Sequence, residues 1–338
     1  MGGGASKAAK SPTGDSAPHA DTSSGGGQPS HAARGGADAT TPTAGHGWSA
    51  DGAPPPSWTL HEAGLRGSAA AVTVLLATGA DVHAPDADGW TALHAGAWGG
   101  SADAVGALLA AGADVHAKGV NGKNALHYAA WGGRTEVVGA LLVAGADVHG
   151  TADNGATALH HAAWSRNART MEVLVQAGAD VLATDTGGQT ALHHAGAFGS
   201  IDMLDVLHAA KANLEARDLK GFTSIHVAGN NGHTDAVQAL VAAGADVHAK
   251  TNDGMTALHF ASRNRQTETV QALLTADADV HAKANDGTSA LHYAGWSGRA
   301  EAVQAVLTAG ADVHAKANDG RTALHYAGRS GRAEAVQA

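Results

Sequence analysis

The sequence predicts an all-α fold, a solenoid of short helix-turn-helix units with β-turn tips, preceded by a disordered N-terminal tail. Two observations carry this. A Leu-His pair returns every 33 residues, and between its copies turn-forming Gly and Asn alternate with short apolar stripes of helical spacing. Composition agrees: aromatic residues are only 4% while glycine fills 46 positions. Such an interior has to be built from small side chains on closely spaced helices, not from a broad aromatic core.

The tail comes first, over residues 1–56. Runs such as Gly2-Gly3-Gly4, Gly25-Gly26-Gly27 and Pro54-Pro55-Pro56 stand among Ser, Thr and Ala, with almost no branched aliphatic residue. Nothing there offsets a backbone ordering cost of about 1–2 kcal/mol per residue, so disorder is expected. Met1-Gly2-Gly3-Gly4-Ala5-Ser6 fits the M-G-x-x-x-[ST] pattern for myristoylation at Gly2. A glycine-rich start also meets that pattern by accident. One acyl chain gives only marginal, reversible membrane binding, and Lys7 and Lys10 add a weak second attraction. The N-terminus lacks the apolar core of a secretory signal. No run approaches the eighteen or so apolar residues of an integral span. The expected location is cytoplasmic, with reversible membrane association if Gly2 is acylated.

The array occupies 57–338. Its markers are Leu60-His61, Leu93-His94, Leu126-His127, Leu159-His160, Leu192-His193, Ile225-His226, Leu258-His259, Leu291-His292 and Leu324-His325. They define about nine units of 33 residues, the last incomplete, and a period of that length marks a stacked-repeat architecture. In the unit from Gly119 to Gly150, Val120-Asn121-Gly122-Lys123 is turn chemistry, with Asn-Gly supplying positive φ. Asn124–Trp131 is long enough for a short helix that Gly132-Gly133 stops. A second helix is expected from about Thr135, as N-cap, to Ala144. Its Val137, Val138, Leu141 and Leu142 make one stripe, and Gly145 ends it. Helices this short are marginal alone. They have to bury their stripes against neighbouring units, with Ala129, Ala130 and Ala140 permitting close approach.

Thr91-Ala92-Leu93-His94, with Gly89 before it and Leu108-Leu109-Ala110-Ala111-Gly112-Ala113-Asp114-Val115 after it, resembles the ankyrin repeat. The resemblance covers roughly residues 58–338. Ala92 stands where the family usually has Pro, and His116 where it prefers Asn; neither changes the fold expected. The resemblance implies that the marker histidines are structural, bonding to backbone of the turn and of the next unit. It also implies binding through the turn tips and the exposed side of each first helix, which line a concave face. The weakest units are those around Leu192 and Ile225, where Lys211-Ala212-Asn213-Leu214-Glu215 replaces the usual Gly-Ala-Asp-Val-His. The last unit stops at Gln337-Ala338, inside its second helix, where a solenoid normally has a polar cap. The expectation is that the sequence is a piece of a longer chain.

Twenty-two histidines raise the question of a metal or an enzyme. His83, His116, His149, His248, His281 and His314 share one position in their units. Stacked helices lie on the order of 10 Å apart, too far for ligands that must reach within about 2 Å of zinc. The pairs His160-His161 and His193-His194 are adjacent on a helix and share no face. With no cysteine, H-E-x-x-H, Walker loop or G-x-S-x-G elbow, neither metal, cofactor nor enzymatic activity is expected. Asp253, Asp286 and Asp319 recur once per unit, as solvated turn tips do. If the nine marker rings are buried and neutral, stability should fall in acid.

At the fifth place after the marker leucine stand Leu65, Trp98, Trp131, Trp164, Arg263, Trp296 and Arg329, with Phe198 one place later in its unit. Turn positions add Trp90, Phe222 and Met255. An aromatic row is either a contact surface, where Trp is the residue most enriched at hot spots, or filler folded into gaps between alanine-rich neighbours. Tyr128, Phe260, Tyr293 and Tyr326 read as packing residues between units. A net charge of −10 leaves no basic field for nucleic acid. The expected function is protein–protein recognition along the concave face. The alternatives are a regulatory array of a larger enzyme or channel, and a duplicated array with no dedicated partner.

Overall fold

The computed structural model describes residues 54–55 and 57–330. The tail expected to be disordered, apart from its last residues, and the acylation motif at Gly2 lie outside the described residues, as do residues 331–338. The repeats fall within one unit, Trp48–Ala338.

Short helices alternate between two layers. The first helices are α1 (Leu60–Leu65), α3 (Ala92–Gly99), α5 (Ala125–Trp131), α7 (Ala158–Ser165), α9 (Ala191–Phe198), α11 (Ser224–Asn231), α13 (Ala257–Arg263), α15 (Ala290–Ser297) and α17 (Ala323–Ser330). The second helices are α2 (Ala69–Ala77), α4 (Ala102–Ala110), α6 (Thr135–Val143), α8 (Ala168–Gln176), α10 (Ile201–Ala209), α12 (Thr234–Ala242), α14 (Thr267–Thr275) and α16 (Ala300–Thr308). Each helix packs on its equivalents in the adjacent units and, from α1 to α16, on its partner in the same unit. This is the expected solenoid.

The marker histidine explains why each first helix begins where it does. In α3 the N-cap is Thr91, and the ring of His94 at the third helical position accepts the Thr91 amide on Nδ1 at 3.0 Å. The same reciprocal cap recurs at Asn124, Thr157, Thr190, Thr223, Thr256 and Ser289. It is a capping box with imidazole in the role usually taken by Glu or Gln.

Second helices start less regularly. The N-cap of α6 is Arg134, not Thr135, which is already helical. The Thr135 hydroxyl is engaged elsewhere, 2.8 Å from that of Thr170 in the next unit. Val137, Val138 and Leu141 are buried, as are Ala129 and Ala130 of α5, while Leu142 and Ala140 are partly buried at the margin of the core.

Between units the chain forms hairpin tips. Asn121 and Gly122 both take positive φ, 64° and 68°, and the Gly119 amide closes the turn on the Lys123 carbonyl at 2.8 Å. Successive tips are joined by one backbone bond each, such as Asp153 N–H to Asn121 O, Thr186 to Asn154 and Leu219 to Gly187. The run continues through Asn252 to Lys220, Asn285 to Asp253 and Asn318 to Asp286. These bonds fix the spacing of the tips and hence of the first helices beside them.

Candidate partner-binding face

The marker rings tie each first helix to the turn of the next unit. With Nδ1 accepting, a neutral ring carries its proton on Nε2 and can donate it onward. His61, His94, His160, His193 and His292 all pair Nε2 with a carbonyl of the next unit, 29 residues on, over 2.7–3.2 Å. His226 reaches Ala249 O instead, at 2.8 Å, and Nε2 of His127 and of His259 has no hydrogen-bond partner. The expectation of nine buried rings needs one correction. His61 is only half-buried and His325 is exposed, because α1 and α17 each have a described neighbour on one side alone. For the other seven, burial holds the pKa below the ordinary value, to about 4 at His127, His160, His226 and His259.

On this layer Trp98, Trp131 and Trp164 form a continuous row. Trp98 and Trp131 stand edge to face with centroids 5.6 Å apart, and Trp131 and Trp164 do so at 6.1 Å. All three are half-buried. Lys123 places its Nζ 4.7 Å over the Trp131 ring, and partial burial lowers the pKa of that amine. Arg134 ties down the start of the row by donating Nε–H to the Trp98 carbonyl at 3.2 Å.

Two histidines underpin the row, a role that the sequence reading missed. His161 is fully buried with its ring 4.6 Å from Trp164 and 6.0 Å from Trp131, and its Nδ1 bonds the Thr157 carbonyl at 3.0 Å. Burial holds its pKa well below the ordinary value. His194, also buried, is 5.3 Å from Trp164 and sets Nε2 3.6 Å from the Asp185 carboxylate. For Asp185, burial alone would raise the pKa, but the adjacent His194 ring and the hydrogen bonds from the Gln189 and Gly187 amides lower it overall. The signal was available: His161 and His194 hold the position that Tyr128, Phe260 and Tyr293 fill elsewhere, two places after the leucine.

The remaining named residues divide. Phe198 and Trp296 point outward, 37% and 45% exposed. Trp90 turns inward, 4% exposed, with its ring 4.4 Å from Tyr128 of the next unit. Met255 is likewise buried, and Phe222 is half-buried 4.8 Å from Phe260. A turn residue therefore packs on the first-helix aromatic 38 positions later, which makes Trp90 part of the packing between units. Tyr128 and Phe260 are buried and Tyr293 half-buried, in keeping with a packing role.

Among the described residues, no three His, Cys, Asp or Glu side chains cluster closely enough to hold a metal ion. No described helix is long and apolar enough to cross a membrane.

Paired helices at a fixed period, stacked in two layers and joined by bonded hairpin tips, define a tandem-repeat solenoid protein. A family model described as ankyrin repeats (3 copies) matches residues 60–152, 116–185, 141–218, 178–251, 225–317 and 278–338, which together span 60–338. The chain belongs to the ankyrin repeat family. Ankyrin repeats are generally protein–protein interaction modules. No curated protein matches the chain.

Proposed function

We propose that this chain recognises a protein partner on its first-helix face, with Trp98, Trp131 and Trp164 as the principal contacts and Phe198 and Trp296 extending the surface. The observation that carries this reading is the half-exposed edge-to-face row itself. A ring used only as filler would be driven fully under, as Trp90 is. The row is instead held rigid from below by His161 and His194, and rigid aromatic anchors lose little entropy on binding. Phe222 sits at the margin of this surface. On this reading the protein acts in the cytoplasm, and acylation at Gly2 would add a weak, reversible membrane tether. The mass of the N-terminal peptide from expressed protein tests that tether.

The recognition reading is tested by capture from cytosol with the full chain beside a Trp98→Ala, Trp131→Ala, Trp164→Ala variant of equal helicity. A partner held by the wild type and lost from the variant supports it. Equal capture moves the interface off the row.

A further inference from the structure

The eight joints between successive units are not tied equally. Apart from the bonds between tips, five are crossed by a marker-ring bond, from His61, His94, His160, His193 and His292. At the third and sixth joints an asparagine amide and a hydroxyl pair take over. Asn167 donates to Gly133 O and Asn264 to Asn230 O, both at 2.9 Å, and the hydroxyls of Thr135 and Thr170, like those of Thr234 and Thr269, pair at 2.8 Å. The seventh joint, between α13–α14 and α15–α16, has neither device among the described residues. Nε2 of His259 has no hydrogen-bond partner, although the Thr288 carbonyl stands near it. The Thr267 hydroxyl, equivalent to those of Thr135 and Thr234, is also unpartnered, since the place 35 residues on is Ala302. Ser262, fully buried where the equivalent residues are Ala97, Ala130 and Ala163, is the third buried polar group without a partner. The hydrogen bonds that do cross this joint lie at the tips. Asn285 donates its main-chain N–H to Asp253 O and its side-chain amide to Asn252 O, both at 2.9 Å. Beside them Lys250 Nζ reaches Lys283 O at 3.5 Å, and the Tyr293 hydroxyl meets Met255 Sδ at 3.7 Å.

We infer that the array opens at this seventh joint, hinging on the tips around Asn252 and Asn285, so that units eight and nine part from the rest as one block. Apolar contact holds this joint as it holds the others: Leu258 and Leu273 on one side and Leu291, Val303 and Val306 on the other are buried. The difference is polar. A buried polar group left without a partner costs more than a hydrogen bond contributes. Closing the seventh joint therefore carries a cost where closing the others brings a gain, and opening it gives all three groups water. In a solenoid stability is set by nearest-neighbour interfaces, so the least favourable one divides the stack. Such a block opens at a free energy below that of global unfolding. The block carries the exposed Trp296. On the reading of the first-helix face as a contact surface, hinging shifts that ring relative to Trp98, Trp131 and Trp164 and lets the face fit its partner. The hinge itself is independent of that reading.

Hydrogen exchange of the full chain at neutral pH, read by mass spectrometry, tests the hinge. Amides of α15, α16 and α17 are expected to exchange together, with a step to slower rates at α14. Ser262→Ala/Thr267→Val, which removes two of the three unpartnered groups, should slow the block roughly tenfold or more. Ser224→Ala, which removes another buried unpartnered hydroxyl from α11, should leave the block unchanged. Circular dichroism checks helicity, and Ser262→Ala alone replaces the double variant if that has lost helix. Rates graded unit by unit from α17 back into α13, no slowing in the folded variant, or equal slowing by Ser224→Ala overturns the inference.

Discussion

His160 of one unit and Gln189 of the next are joined by a single hydrogen bond, ring Nε2–H to main-chain carbonyl, 3.0 Å long. The same ring accepts the Thr157 amide on Nδ1 at 3.1 Å, so it caps its own helix and staples the following turn at once. Protonation at Nδ1 would cancel the cap and place a charge in a buried site. Burial already holds the folded pKa at about 4, against about 6.5 for the unfolded chain. The sign follows: the unfolded state binds more protons between these values, so the ring's stability contribution is complete above about pH 6.5 and declines as pH falls toward about 4. His127, His226 and His259 act in the same window, and His94, His193 and His292 in the same direction. The urea midpoint is expected to fall steadily from pH 7 to pH 4.5. A flat midpoint over that range would contradict the stapling role.

Tryptophans at two places in the repeat should differ sharply in energetic weight. Trp90 is buried against Tyr128, whereas Trp296 keeps 45% of its surface in water. Truncating a large buried aromatic costs about 3–5 kcal/mol, so Trp90→Ala is expected to lower the unfolding midpoint severely. Trp296→Ala should cost on the order of 1 kcal/mol or less, since surface changes rarely exceed that. Denaturation of the two variants side by side checks the ranking, and equal losses would mean that Trp296 is a packing residue.

Helix ends supply a substitution that should stabilise. Gly112, Gly145, Gly244 and Gly310 follow second helices with φ between 86° and 96°, and the equivalent Lys211 takes φ 66°. A non-glycine residue in that region costs roughly 1–2 kcal/mol, partly offset because glycine loses more entropy on folding. Lys211→Gly is therefore expected to raise the midpoint by up to about 1 kcal/mol of stability. A lower midpoint would show that the lysine side chain makes a compensating contact.

The period, the helix pairs and the turn at Asn121-Gly122 were legible because each is local: spacing of apolar residues, breakers, and residues that accept positive φ. The buried stripe Val137, Val138 and Leu141 followed from the same periodicity. What the sequence concealed was direction. Trp90 and Trp98 are both tryptophans in one unit, yet one turns under Tyr128 and the other lies in the half-buried row, and only the stacking of the next unit decides between them. The family resemblance implied that His94 bonds the backbone of its own turn and of the next unit, as it does. Residue pattern alone did not show it, since imidazole is not the usual third residue of a capping box. Its pairing across 29 residues also depends on how far one unit lies from the next.

Glycine-to-alanine changes should have opposite signs at two kinds of helical site. In α9 a Cβ on Gly196 would stand 2.8 Å from the Ser224 carbonyl oxygen of the next first helix, and backbone cannot step aside cheaply. The same contact recurs between Gly295 and Ala323 O at 2.8 Å. Overpacking of this kind costs typically about 1–3 kcal/mol, more than the roughly 1 kcal/mol of helix propensity that alanine gains. Gly196→Ala and Gly295→Ala are thus expected to destabilise, while still favouring helix locally. On second helices the balance reverses. A Cβ on Gly106 in α4 or Gly139 in α6 meets nothing within 4 Å, so propensity acts unopposed and each substitution should stabilise by about 0.5–1 kcal/mol. Urea midpoints of the four variants test the close stacking of first helices directly: gains at Gly196 and Gly295 as large as those at Gly106 and Gly139 would mean that the units separate without penalty.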